Sequence, residues 1–208
     1  MNCPAPLIAT LQTIERYHFQ YTMVSQLSSS GGVSEMYAKA ARELYRSTSN
    51  QERALTLREI REKLVDRAPS REQFISDFIE RFLLTNEFTR DNRLVGYVLR
   101  GFLRVLHPAT GLDNLTVEHI LPQDQIGRDG IDAKTVGSIG NLLVVSEALN
   151  TKLDNKPFSR KVQVLASDGT PYDIGGVTNQ TTWGPAEINA RAQYLAELAY
   201  DRVWKLPV

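Results

Sequence analysis

The sequence contains one cysteine, Cys3, among its 208 residues. A single cysteine cannot form an internal disulfide and excludes the paired cysteines of a zinc knuckle, so we expect no zinc and a reducing, cytoplasmic setting. No apolar run approaches the ~20 residues that cross a bilayer. The N-terminus has neither the basic nor the apolar region of a secretory signal. The sequence therefore predicts a cytoplasmic protein without a membrane segment.

A surplus of positive charge is also missing, because 24 Lys and Arg residues balance 24 Asp and Glu residues. Nucleic-acid-binding domains usually carry a basic surplus, so the composition alone argues against such a partner. One short segment differs, since four basic residues there accompany Asp154 as the single acidic residue. Such a basic segment can bind phosphates. A solvent-exposed helix face, on which Lys161 packs or pairs locally, explains these residues equally well. The four candidate DNA-binding residues are Lys152, Lys156, Arg160 and Lys161.

The first half of the sequence places apolar residues at helical spacing and shows no internal repeat. Ser70, followed three residues later by Gln73, is close to a capping box and predicts the start of one helix. The stretch at residues 107–111 contains proline and glycine and ends the pattern. We therefore predict a helical subdomain over residues 1–108. Its helices are predicted at residues 6–23, 36–45 and 55–65 and from Ser70 through Phe82, with a linker at 28–32. A further helix, capped by Asp91 or Asn92, is predicted to run through Leu94 to Leu106 and to end before Pro108.

A short β-rich segment follows this boundary. Residues 116–123 read TVEHILPQ, which predicts a strand that stops at a proline and places Glu118 beside His119. Neutral imidazole has a pKa near working pH, which suits it to deprotonate water in phosphodiester hydrolysis. The plainer alternative for His119 is a buried structural histidine at a strand end.

A second β-rich segment carries carboxamides. Gly140 and Asn141 predict a tight turn, and the apolar residues 142–145 predict a strand after it. A helix is predicted to open near Ser146 and to carry Asn150. Asn is disfavoured inside helices, so its presence there favours a function over a plain surface role. For Asn141, a turn role and a functional role overlap.

Strand, loop, strand and helix, with a carboxylate, an imidazole and two carboxamides, outline a ββα-metal (HNH-type) nuclease site. A hard divalent cation would neutralise the phosphate charge and assist the leaving oxygen. Oxygen ligands match Mg²⁺, which takes few protein ligands, and we expect Mn²⁺ to substitute for it. We predict Glu118 and Asn150 as the metal ligands and Asn141 as a group that steadies the loop or the imidazole.

Three motifs in this half resemble a known family. EHILPQ at residues 118–123, IGNLL at 139–143 and LNTKLDNKPFSRK at 149–161 are similar to the C-terminal HNH-like domain of GmrSD-type, modification-dependent restriction enzymes and of phosphorothioate-sensing (Ssp-type) defence proteins. The resemblance extends over residues 112–206. It includes Trp183 and the last helix, and we predict Trp183 and Trp204 to be core anchors of that helix.

The resemblance implies roles for the site residues. It implies His119 as general base, Asn141 as the middle asparagine, and Asn150 in place of the final histidine of HNH. Glu118 stands where many HNH enzymes have a metal-binding aspartate. The resemblance also implies a parent protein with a nucleotide-hydrolysing sensor domain before these helices. This sequence itself contains no Walker-type phosphate loop, so by this resemblance it looks like the C-terminal portion.

We therefore predict a mostly helical α+β fold, in which residues 109–208 form an HNH-like nuclease domain closed by a long helix at residues 185–204. The predicted function is a metal-dependent DNA endonuclease of a bacterial anti-phage restriction system. One ββα-metal site cuts one strand at a time, so nicking is expected. The alternative is a non-catalytic DNA-binding or regulatory module of the same fold, which the neutral net charge favours. RNA cleavage would use the same site chemistry.

Overall fold

The computed structural model describes residues 5–28, 32–89, 92–168 and 170–207. These residues are mostly helical and include one two-stranded antiparallel sheet, so the predicted α+β class is confirmed. Cys3 and most of the predicted linker lie outside the described ranges. The elements are α1 (Ala5–His18), α2 (Gly32–Arg46), α3 (Asn50–Val65), α4 (Arg71–Arg81), α5 (Asn92–Leu106), β1 (Leu115–His119), α6 (Ala133–Gly137), β2 (Leu142–Ser146), α7 (Glu147–Leu153), α8 (Phe158–Asp168) and α9 (Pro185–Leu198).

Two helices begin where the sequence places capping residues. The backbone N–H of Gln73 donates to Ser70 Oγ at 3.2 Å at the start of α4, as the near capping box predicts. The backbone N–H of Leu149 donates to Ser146 Oγ at 3.2 Å at the start of α7. Both predicted helix starts are confirmed. Within the described ranges, no helix is both long and apolar enough to cross a bilayer.

The chain forms two compact units. One comprises residues 1–77 with 204–208, and the other comprises residues 78–203. The division between them falls inside α4, between Asp77 and Phe78. The predicted boundary after residue 108, between a helical subdomain and a nuclease domain, stays a prediction.

The first unit is built on α1, α2 and α3. Tyr17, Val33 and Leu64 are buried together at its centre. A π-helical turn, Phe19–Val24, continues α1. Phe19 stacks on Trp204 with ring centroids 3.9 Å apart, and Trp204 is buried, which confirms its predicted role as a core anchor.

The second unit contains the hairpin of β1 and β2. Glu118 lies opposite Leu143, and His119 lies opposite Leu142. Side chains alternate between the two faces of a strand, so Glu118 and His119 point to opposite faces. The face that carries Leu143 packs against α7 and α8, which supplies the core of this unit. That buried cluster consists of Ile120, Leu143, Val145, Leu149, Leu153, Leu165 and Val177.

The turn before β2 is fixed by α9. A Cβ atom at Gly140 would lie 2.0 Å from Ile188 O, so a larger residue does not fit unless the helix moves. Arg191 on α9 is buried and donates to the carbonyl oxygens of Gly140 at 2.7 Å, Leu142 at 3.0 Å and Ile174 at 2.8 Å. The sequence predicts a turn at Gly140, and the structure adds that contact with the helix requires glycine there.

Candidate active site

His119 lies at the end of β1 and is partly exposed. Its Nε2 atom is 2.7 Å from the carbonyl oxygen of Leu84. A carbonyl oxygen only accepts hydrogen bonds, so Nε2 carries the proton of the neutral ring and Nδ1 carries the lone pair. Nδ1 has no hydrogen-bond partner among the described residues. His119 therefore presents a basic nitrogen that no other protein group uses.

Burial favours the neutral form of this imidazole. Desolvation lowers the pKa of His119 below the ordinary value of 6.5, while the hydrogen bond to Leu84 works in the opposite direction and the charge of Lys161 lowers it further. At neutral pH the ring is therefore in the form that can take a proton from water.

Leu84 reaches His119 because the segment after α4 pairs with the segment before β2. The backbone N–H of Leu84 donates to Gly137 O at 2.9 Å, and that of Ile139 donates to Phe82 O at 3.1 Å. Leu84 cannot be identified from the sequence, because a backbone acceptor has no side-chain signature. Only the tertiary pairing of these two segments identifies it.

Glu118 points to the other face of the hairpin, where it meets Lys161 of α8. Lys161 Nζ lies 2.5 Å from Glu118 Oε1, and both side chains are buried, with Lys161 2% and Glu118 8% exposed. Burial raises the pKa of the Glu118 carboxyl, and the Lys161 ammonium group opposes that rise. Lys161 therefore follows the local-pairing alternative, and its charge is not presented to solvent.

The strand β1 pairs with β2 along one edge only, and side chains bind its other edge. We call the carbonyls of residues 115, 117 and 119 the open edge of β1. Three helices each send one donor to it, which blocks the edge for another strand and aligns these side chains in a row. The three bonds join Arg100 to Leu115 O at 2.8 Å, Asn150 to Val117 O at 3.3 Å and Lys161 to His119 O at 2.6 Å.

Asn150 on α7 is held with its amide nitrogen toward β1. Nδ2 donates to Thr116 Oγ1 at 2.8 Å as well as to Val117 O. Its Oδ1 atom has no hydrogen-bond partner among the described residues, so it is free to accept from water or to bind a cation. Asn150 lines a surface pocket. The other lining residues are Thr116, Glu147, Thr151 and Asp154.

The side-chain atoms around this pocket that can bind a cation are oxygen atoms, and oxygen ligands fit Mg²⁺ and Mn²⁺. Asp154 ends α7 with φ at 43° and ψ at −158°, a conformation unfavourable for any residue except glycine. Its charge contributes to the raised pKa of Glu118, so the two carboxyl groups act on each other. In the described part of the chain, no three His, Cys, Asp or Glu side chains group as metal ligands. A cation here would therefore depend on Asn150 and few other protein ligands, as Mg²⁺ tolerates.

Asn141 is buried, and its carboxamide is fully used by the protein. Its Nδ2 atom donates to Leu121 O at 2.9 Å and to Val136 O at 2.8 Å. Its Oδ1 atom accepts from Leu121 N at 2.8 Å and from Trp183 Nε1 at 3.0 Å. Trp183 is partly buried and stacks on Phe158 at the edge of the buried cluster, and its predicted role as an anchor of the last helix stays a prediction. Asn141 thus clamps the loop that follows His119.

The three other basic candidates lie on the surface of the α7–α8 region. Lys152 forms an ion pair with Asp168 at 2.6 Å, and Lys156 donates to the carbonyl oxygen of Lys152. Arg160 donates to Gln163 Oε1 at 3.1 Å. All three side chains are exposed, so their charge faces solvent.

The structure gathers only part of the predicted site. Asn150 and Lys161 bind the open edge of β1, Glu118 pairs with Lys161, and His119 lies at the end of the strand. His119 and Asn150 make no contact with each other, because Asn150 binds the strand two residues earlier, at Val117. The backbone positions of Val117 and His119 lie two residues apart, which is about 7 Å along a strand.

Comparison with known proteins adds one match. A family model described as GmrSD restriction endonucleases, C-terminal domain, matches residues 70–198. The matched range contains both strands, α7, α8 and all the predicted site residues. No curated protein matches the chain.

Proposed function

The chain belongs to the family of GmrSD restriction endonuclease C-terminal domains, and we propose that it is a metal-dependent DNA endonuclease in which His119 is the general base. The observation that supports this most strongly is the hydrogen bond from His119 Nε2 to Leu84 O at 2.7 Å. That bond selects the tautomer with a free Nδ1, and burial keeps the ring neutral. Such a nitrogen, at a partly exposed strand end, can take the proton of an attacking water.

The remaining site residues divide into ligands and supports. Asn150 holds the cation through Oδ1, which its two bonds to β1 turn away from the strand. Glu118 is the second ligand. Bound Mg²⁺ or Mn²⁺ supplies charge stabilisation at the scissile phosphate and the leaving oxygen. Asn141 is a positioning residue, because its four hydrogen bonds fix the loop after His119 and leave no atom for substrate.

The DNA backbone contacts the exposed basic side chains in the last turn of α7 and directly after this helix. Lys152 and Lys156 are exposed there. Each phosphate contact that is lost reduces the slope of log affinity against log salt concentration by about 0.9. Replacing both by alanine is expected to reduce the slope of log affinity against log salt by about 2. The matched control replaces Lys39 and Lys63, which form exposed ion pairs in the first unit. An equal loss of slope in both double variants would remove this surface from the proposal.

One site cuts one strand, so the expected product is nicked DNA unless two copies act together. We place this activity in a cytoplasmic restriction system directed against phage DNA. The partner is a nucleotide-hydrolysing sensor domain that precedes these helices in the parent protein. Family membership supports the restriction setting.

The test is a plasmid-nicking assay with Mg²⁺, with Mn²⁺ and with chelator. We expect metal-dependent nicking that His119→Ala abolishes and that His107→Ala, directly after α5, leaves intact. The same assay with an RNA substrate shows whether the protein cleaves DNA or RNA. Nicking by His119→Ala at the wild-type rate would overturn the assignment of the base.

The second candidate is a non-catalytic DNA-binding module of the same fold. It is favoured by the Glu118–Lys161 ion pair, which occupies a predicted metal ligand, and by the net charge of zero. DNA binding that is equal in wild type and His119→Ala, without nicking by either, would select this candidate.

A further inference from the structure

Lys161 differs from the other ion-paired lysines of its unit. Lys134 and Lys152 pair with carboxylates on the surface, where both partners are about half exposed. Lys161 is 2% exposed and donates to Glu118 Oε1 at 2.5 Å and to His119 O at 2.6 Å. Its ammonium group is therefore committed to two oxygen atoms of consecutive residues at the proposed active site.

The ammonium group lies between two oxygen atoms that could also bind a metal ion. A buried carboxylate requires a nearby positive charge, because removing the partner of a buried pair leaves a charge that water cannot solvate. Two oxygen atoms, one from Glu118 and one from the strand carbonyl, already surround the Lys161 nitrogen. A divalent cation that binds Glu118 has to share the carboxylate with this ammonium group or displace it, since the two positive charges repel each other.

We propose that Lys161 serves as the resident cation of the site: it holds Glu118 in the metal-free protein, and a divalent cation gains this carboxylate only when Lys161 releases it. The proposal rests on the proposed function in one respect, the role of Glu118 as a metal ligand. Two consequences follow. The strand end around His119 stays ordered without metal, and the affinity for metal in the absence of DNA is weakened by the competing lysine.

The first test measures Mn²⁺ binding to the full chain by calorimetry. Lys161→Met replaces the lysine by an uncharged side chain of similar length and so removes the ammonium group. We expect this variant to bind Mn²⁺ about tenfold more tightly than wild type, or more, because the competing charge is gone. Lys134→Met removes a surface lysine from the same unit and is expected to leave Mn²⁺ affinity unchanged. Adding Glu118→Gln to Lys161→Met is expected to cancel the gain.

The same variants give a stability readout. Lys161→Met leaves Glu118 uncompensated and is expected to melt at a lower temperature than wild type, and Mn²⁺ is expected to raise its melting temperature more than that of wild type. An equal rise in both proteins, or a lower Mn²⁺ affinity of Lys161→Met, would overturn the proposal. A purely structural lysine would lower the melting temperature without this metal-dependent recovery.

A second measurement avoids any variant that fails to fold. A buried ammonium group exchanges its protons slowly, so the ¹⁵Nζ signal of Lys161 is observable by NMR in the wild-type chain. Titration with Mg²⁺ is expected to shift this signal or broaden it beyond detection, while the signal of Lys134 stays in place. A Lys161 signal that remains unchanged while other site signals saturate would refute the release step. Metal-dependent nicking that requires His119 would still stand in that case, so the two proposals can fail separately.

Discussion

Asn141 provides the sharpest test of a structural residue within the site. Asn141→Ala removes both donors and both bonds to the acceptor, which leaves Val136 O, Leu121 O, Leu121 N and Trp183 Nε1 without their partner. Each orphaned group costs about 1–3 kcal/mol when fully buried. Leu121 and Trp183 are partly exposed, so water can replace some of these bonds. We therefore expect a loss of about 4 kcal/mol in the free energy of unfolding, the low end of the range for four groups.

Urea unfolding of wild type and variant measures this loss, and the nicking assay gives the second readout. Because Asn141 acts through the loop after His119, Asn141→Ala is expected to lower the rate constant for nicking while the affinity for Mn²⁺ changes little. Asn141→Asp is the matched comparison, since it keeps the acceptor and loses both donors to Leu121 O and Val136 O. A variant destabilised by less than about 1 kcal/mol, with nicking abolished, would show that Asn141 acts on substrate directly and would refute this reasoning.

Three further outcomes are expected. Gly140→Ala forces a Cβ atom to within 2.0 Å of Ile188 O, so it is expected to destabilise the chain by about 2 kcal/mol or more in urea unfolding; an unchanged midpoint would contradict the close contact. Arg191→Lys keeps the charge, but the lysine cannot reach all of the carbonyl oxygens that Arg191 binds. We expect it to lower the free energy of unfolding by about 2 kcal/mol in the same assay, and a loss below about 0.5 kcal/mol would contradict this. In the metal-free protein, NMR titration is expected to give His119 a pKa below 6.5. Because the pKa of His119 is lower in the folded than in the unfolded chain, the neutral ring stabilises the fold above pH 6.5. This stabilisation is lost as the pH falls through the pKa of the folded state. A measured pKa above 6.5 would remove the basis for a neutral ring.

The elements of the site could be predicted from local sequence signals. β-branched residues next to a Gly-Asn turn predict β2, and Ser146 predicts the start of α7 at the position where its hydroxyl accepts from Leu149 N. These signals are local because a cap and a strand pattern depend on neighbouring residues. The identity of Asn141 could be noted as well, but its partners could not, since Val136 and Trp183 approach it only in the folded chain.

Lys161 has a sequence signal that separates it from the other three basic candidates. It follows Phe158 by three residues and precedes Leu165 by four, a spacing that places all three on one side of α8. Lys161 and Leu165 are buried on that side. Counting basic residues within the segment groups Lys161 with Lys152 and hides this difference. Helical periodicity, applied to charged as well as apolar residues, predicts that Lys161 faces inward and needs a partner.

The open edge of β1 explains why a carboxamide suits position 150 better than a carboxylate. The strand offers Val117 O and Thr116 Oγ1 to this side chain, and a carbonyl oxygen can only accept. A carboxylate would place an oxygen against that carbonyl and lose the bond, so its orientation would not be fixed. A carboxamide donates through Nδ2 to the strand and thereby directs Oδ1 outward. The same edge orders Lys161 through His119 O, so the backbone of one short strand positions the side chains of Asn150 and Lys161.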